Sequence, residues 1–135
     1  MSTTSDSRAG QIVESLQDRE YRELFVAEEI ATGLPMQVLA MRRDRGWSQD
    51  ELARRAGVSL ETIQQLEQLD SGASFPVDLL QRLAAAFDVA LVVRFEPYSR
   101  LVDWAANLAP TDMAVPAFDD DGGLQREQRP ARMVG

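Results

Sequence analysis

The stretch "SQDELARRAGVSLETIQQLE", residues 48–67, decides how this chain folds. Ser48 suits a helix N-cap, because its hydroxyl can accept from a backbone N–H that the first turn leaves unpaired. Glu51, three residues later, completes a capping box. Leu52, Ala53 and Ala56 fall on one helical face, and the two alanines allow a second helix to approach closely. Gly57 supplies a turn where any side chain is strained if φ is positive. Ser59 caps a second helix with Ile63 and Leu66 inward. At 3.6 residues per turn this leaves Glu61, Gln64, Gln65 and Gln68 outward. Two short helices around a tight turn are therefore expected.

Upstream, residues 1–9 are small and polar and are expected to be disordered. Residues 10–33 carry a helical pattern through Ile12, Leu16, Leu24, Phe25 and Ile30, with Asp18 placed to cap a restart. Gly33 suits a C-cap and Pro35 the first turn of the next helix, so a break is predicted there. That next helix turns Val38, Leu39 and Met41 to a core and stops at Gly46, with Trp47 as a lid. Downstream, the polar loop "DSGAS" (70–74) leads to a helix with Pro76 near its start and Leu79, Leu80, Leu83 and Phe87 apolar. The helical domain is accordingly bounded at 34–88.

"VALVVRF", residues 89–95, differs in kind: β-branched and apolar, and too short for such a helix. It predicts a strand. A lone strand leaves its main-chain groups unpaired, and the only other candidate, "MAVPAF", contains Pro116, which disfavours a central place. Pairing between two chains about a two-fold axis is the economical expectation. Val89, Leu91, Val92, Val93 and Phe95 would then form the seam, and Leu101 and Trp104 of the helical "SRLVDWAANL" would pack against it. Residues 89–109 are thus expected to dimerise the protein, and 110–135 to be a flexible acidic tail.

Composition narrows the function. All fourteen basic residues are arginine, against 22 acids, a formal net charge of −8. There is no cysteine and no histidine, so thiolate chemistry, the commonest general base and the commonest metal ligand are all missing. No Ser, Thr, Tyr or carboxylate stands at a spacing that pairs a nucleophile with a base. The chain is expected not to be an enzyme and to use no cofactor. Asp119, Asp120 and Asp121 are consecutive and lack the spaced ligands of a calcium loop, so no metal is expected. The N-terminus lacks the apolar core of a signal peptide, and no uninterrupted apolar run approaches the roughly twenty residues of a membrane span. A soluble, cytoplasmic protein without membrane partners is expected.

The skeleton Gln49-x-x-Leu52-Ala53-x-x-x-Gly57-Val58-Ser59-x-x-x-Ile63-x-x-x-Glu67 resembles the helix-turn-helix of the Cro/lambda-repressor type, also called the xenobiotic-response-element family. With flanking helices the likeness spans residues 35–88, about two-fifths of the chain. The C-terminal stretch from "LLQRLAAAFD" onward also looks like that of many bacterial and phage regulators of this type. The resemblance implies a mainly α, lambda-repressor-like bundle, to which the residue pattern adds the C-terminal strand and short helix expected for dimerisation. It implies that Ser48 and Gln49 open the second helix at the DNA. Ser59, Leu60, Glu61, Thr62 and Gln65 would occupy the DNA-facing part of the recognition helix, and the helical period adds Gln64 to that face. Glutamine can bond adenine twice, glutamate can accept from cytosine, and leucine can meet a thymine methyl. Exposed Gln and Glu are equally what any solvated helix presents. Arg42 and Glu67 match a family pair that ties the first helix to the third. Arg43, Arg45, Arg54 and Arg55 remain for phosphates.

From residue 34 to 75 there are five Arg and six acids, a local net of −1. Few cations imply weak non-specific affinity and a shallow salt dependence. Two functions follow as expectations. One is a homodimeric, sequence-specific regulator of double-stranded DNA, a repressor on a palindromic operator. The other is an antitoxin-like module whose acidic N-terminal helix or tail binds a protein partner.

Overall fold

The computed structural model describes residues 7–68 and 74–124. Among the described residues the main α-helices follow in order: α1 (Arg8–Ser15), α2 (Arg19–Asp44), α3 (Gln49–Ala56), α4 (Leu60–Glu67), α5 (Val77–Phe87) and α6 (Tyr98–Asn107). Two short 3₁₀ turns come after them, Pro110–Met113 and Phe118–Asp120. Most of the "DSGAS" loop lies outside the described residues.

The core forms where four helix faces converge. Val38 and Met41 of α2, Leu52, Ala53 and Ala56 of α3, Ile63 and Leu66 of α4, and Leu83 and Phe87 of α5 are all buried together. Each inward position expected for α3 and α4 is among them. Trp47 lies flat on Phe87, with ring centroids 5.5 Å apart and 6° between planes, and so serves as the lid expected of it. Ser48 accepts from the Glu51 N–H at 3.0 Å and Ser59 from the Thr62 N–H at 3.1 Å, fixing the start of α3 and α4.

The N-terminal half departs from expectation in two ways. First, helix begins at Arg8, inside the stretch expected to be disordered. Ser7 caps it, its hydroxyl accepting from Gly10 N–H at 2.9 Å, and residues 1–6 lie outside the described set. Second, the break at Gly33 and Pro35 does not occur. Asp18 does cap a restart, but α2 then runs unbroken for 26 residues with Pro35 inside it. A proline there removes one backbone bond and crowds the carbonyl four residues back. Pro35 is nevertheless fully buried, with Ala31 one turn before it buried too, so packing offsets that cost. The segments expected at 10–33 and 34–88 therefore share one helix. α2 contains an 18-residue window with a mean hydropathy of 1.3, long and apolar enough to cross a bilayer. Its Val38 and Met41 are instead part of the domain core.

The expected strand is also absent. Among the described residues none is in a strand, and residues 89–97 run without helix, turn or bend. A strand exists only through a ladder, and the described residues offer the segment no second strand. Val89 packs against the core, while Val92, Val93 and Phe95 are 71, 67 and 104% exposed. α6 forms as expected but packs on α1: Ala105 is buried, and the Arg8 side chain donates to its carbonyl at 3.3 Å. Trp104 remains half exposed.

The tail is less free than expected. Val115 packs on the domain core, and Phe118 N–H donates to the Asp88 carbonyl at 2.9 Å. Residues 110–121 thus fold back over the end of α5. Residues 125–135 of the expected flexible tail lie outside the described set.

Candidate nucleic-acid interface

Gly57 joins α3 to α4 at φ 71°, ψ 35°, the left-handed conformation expected there. Val58 N–H donates back to the Ala53 carbonyl at 3.0 Å, closing the end of α3. Arg82 of α5 donates to the Gly57 carbonyl at 3.2 Å. The turn is thereby held from behind by a residue that no local pattern singles out.

The far end of α4 is clamped. Arg42 grips Glu67 with two bonds, Nε to Oε2 at 2.7 Å and Nη2 to Oε1 at 2.9 Å, and also donates to the Trp47 carbonyl at 2.9 Å. Gln49 Nε2 donates to Glu67 Oε1 at 2.9 Å. The two charged side chains are only 13 and 7% exposed. Burial pushes the Glu67 carboxyl up, but hydrogen bonds from Arg42 and Gln49, with the charges of Arg42 and Arg43, more than offset it. The net shift is below the ordinary carboxylate value. The bond to Glu67 correspondingly raises Arg42 against the opposing effect of burial. The family pair is present as the resemblance implied. Gln49 is in addition engaged with Glu67, at the start of α3 where a DNA contact was expected.

With Ile63 and Leu66 buried, the opposite face of α4 is open. Leu60, Glu61, Gln64, Gln65 and Gln68 are exposed. Ser59 and Thr62 serve the cap as well as the surface, their hydroxyl oxygens 2.8 Å apart. Glu61, Gln64 and Gln65 on α4, with Gln68 at its C-cap, present donors and acceptors of the kind that can meet base edges.

The surrounding arginines divide by role. Arg43 is exposed. Arg54 and Arg55 both bond Glu51 and remain 70 and 47% exposed. Arg55 also lies 4.3 Å over the Trp47 ring. Bonds from Arg55 and Arg54 hold the Glu51 carboxyl below its ordinary value, and that carboxylate is thus turned to the arginines. Arg45, expected to meet phosphate, is structural instead. Its guanidinium donates to the carbonyls of Phe87 at 2.9 Å and Val115 at 3.1 Å, and sits 5.1 Å over the Phe87 ring. An arginine beside Gly46 and Trp47 carries no local sign of this, because its partners lie 42 and 70 residues away.

No curated protein and no solved structure matches the chain. Residues 38–93, which run from the buried end of α2 to the exposed valines after α5, match the family model described as helix-turn-helix, and this match supports a DNA-binding transcription regulator.

Proposed function

We propose that the protein is a sequence-specific regulator that binds double-stranded DNA as a homodimer on a palindromic operator and acts as a repressor by occupying it. The observation that carries this reading is α4: capped by Ser59, anchored through Ile63, Leu66 and the Arg42–Glu67 clamp, and open along Glu61, Gln64 and Gln65. Rigid anchoring matters because base readout needs side chains held in register with the groove. Leu60 is available for an apolar contact, and Arg43, Arg54 and Arg55 for phosphates. Two copies would set their recognition helices about one DNA turn, roughly 34 Å, apart.

The net charge of −8 does not oppose this, because distribution matters more than the sum. Of the acids, seven precede residue 34 against three arginines, and Asp119, Asp120 and Asp121 belong to the far end of the chain. The test is a selection of source-genome fragments on purified protein at moderate salt. A recovered two-fold motif with half-sites one turn apart is expected. Recovery no better than the input pool would overturn the reading.

A further inference from the structure

A cleft of about 250 Å³ lies among α1, the first turns of α2 and α6, apart from the open face of α4. Its walls combine aromatic and ionic side chains. Tyr21, Phe25 and Glu29 follow one another at intervals of one helical turn and so share a stripe of α2. Arg8 and Ile12 do the same on α1, and Ala105 comes from α6. The Tyr21 and Phe25 rings stand side by side, with centroids 6.3 Å apart and 32° between planes. None of these residues belongs to the core where α2, α3, α4 and α5 converge. Both charges in the cleft are unmatched. Arg8 gives its Nε to the Ala105 carbonyl at 3.3 Å, and its terminal nitrogens meet no acceptor among the described residues. The Glu29 side chain is half-buried, yet it forms neither a hydrogen bond nor an ion pair among them.

We propose that this cleft binds a single-ring aromatic α-amino acid, its carboxylate on Arg8, its ammonium on Glu29 and its ring against Ile12, Tyr21 and Phe25. A zwitterion answers both charges at once. A plain acid or a plain amine leaves Glu29 or Arg8 without a partner in a place partly removed from water, which is costly. The bond from Nε to the Ala105 carbonyl fixes the guanidinium and leaves its two terminal nitrogens for a carboxylate, a pairing that the planar fork suits. Volume sets the size of the occupant. Drug-sized ligands fill roughly 300–1,000 Å³, so the smaller space here matches one ring with a short polar head. Aromatic walls favour a ring over an aliphatic chain, because tilted and offset ring pairs add to simple burial. The inference does not depend on DNA binding, since no residue of α3 or α4 lines the cleft.

The test is an amide-shift titration of the full-length protein by NMR. L-phenylalanine and L-tyrosine are compared with phenylpropionate, which lacks the ammonium, and phenylethylamine, which lacks the carboxylate. At least one of the two amino acids should saturate with a Kd of about 1 mM or tighter, moving the amides of Phe25 and Ala105. Each single-charge analogue should bind about tenfold more weakly, for want of one charge-assisted bond. Glu29→Gln should weaken the amino acid by a similar factor, with its fold checked by circular dichroism. This variant is the decisive one, because the Glu29 side chain holds no other group in place, whereas Arg8→Gln also removes the bond to Ala105. Failure of both amino acids to saturate would overturn the inference. Equal affinity for all four compounds would do the same, reducing the cleft to an apolar crevice, as would unchanged affinity in Glu29→Gln.

Discussion

The Arg42 guanidinium and the Glu67 carboxylate meet through two hydrogen bonds of 2.7 and 2.9 Å across 25 residues of chain. They join α2 to the last turn of α4, so α4 is held at both ends: by its Ser59 cap and by this clamp. Removing one partner strands the other in a nearly buried place. Glu67→Ala should therefore cost about 2–4 kcal/mol, near the range for broken buried pairs. Urea unfolding would measure it, and a midpoint within error of the parent would show the clamp to be idle.

The same pair sets an acid limb of stability. The folded Glu67 carboxyl titrates below its ordinary value of 4.5. Its contribution is then complete above that value and is lost as pH falls through the lower, folded one. The parent should lose stability on acidification below pH 4.5 more steeply than Glu67→Gln, which has no proton to take up there. Parallel curves for the two proteins would count against this linkage.

Gly57 turns at φ 71° with nothing nearer than 3.9 Å to a side chain added there. Space is thus not the issue; backbone strain is. Gly57→Ala should destabilise by about 1–2 kcal/mol, the cost of placing an L-residue in the left-handed region. A denaturant curve unchanged from the parent would mean the turn can relax to negative φ.

Gln65 is exposed on α4 and touches no part of the core. Gln65→Ala should leave the melting temperature unchanged and weaken specific DNA binding about tenfold, as expected for loss of a bidentate base contact worth about 1–3 kcal/mol. Equal affinity for the selected site would remove Gln65 from the reading face. With Arg43, Arg54 and Arg55 from each of two copies on phosphates, the slope of log K against log salt should be no steeper than about −5.

Arg45 ties the end of α5 to the returning tail through the carbonyls of Phe87 and Val115. Arg45→Ala should cost about 1.5–3 kcal/mol, the worth of charge-assisted bonds. It should also release the Phe118 amide, now bonded to the Asp88 carbonyl, to faster hydrogen exchange. Unaltered protection at Phe118 would show the tail to be held without Arg45.

The helix-turn-helix unit was legible in the sequence because its determinants are local. Caps, a glycine at positive φ and a 3.6-residue apolar period act within a few residues of one another, so Ser48, Gly57, Ser59, Ile63 and Leu66 each sit where their chemistry places them. The open face of α4 follows from the same period. Arg42 and Glu67 were paired by resemblance alone, and the folded chain brings them together.

Where partners lie far off in sequence, tertiary structure decided. Pro35 would end an isolated helix, yet burial beside Ala31 carries α2 through it. Arg45 is an exposed cation by composition, but two distant carbonyls and an aromatic ring make it a strap. Residues 89–95 have every local trait of a strand and form none in the single chain, since strand is a property of a pair. What local residues determined here is α3 and α4 with their polar faces; how far α2 runs, and which groups the helices hold together, depended on desolvation and hydrogen bonding between segments that only the fold brings into reach.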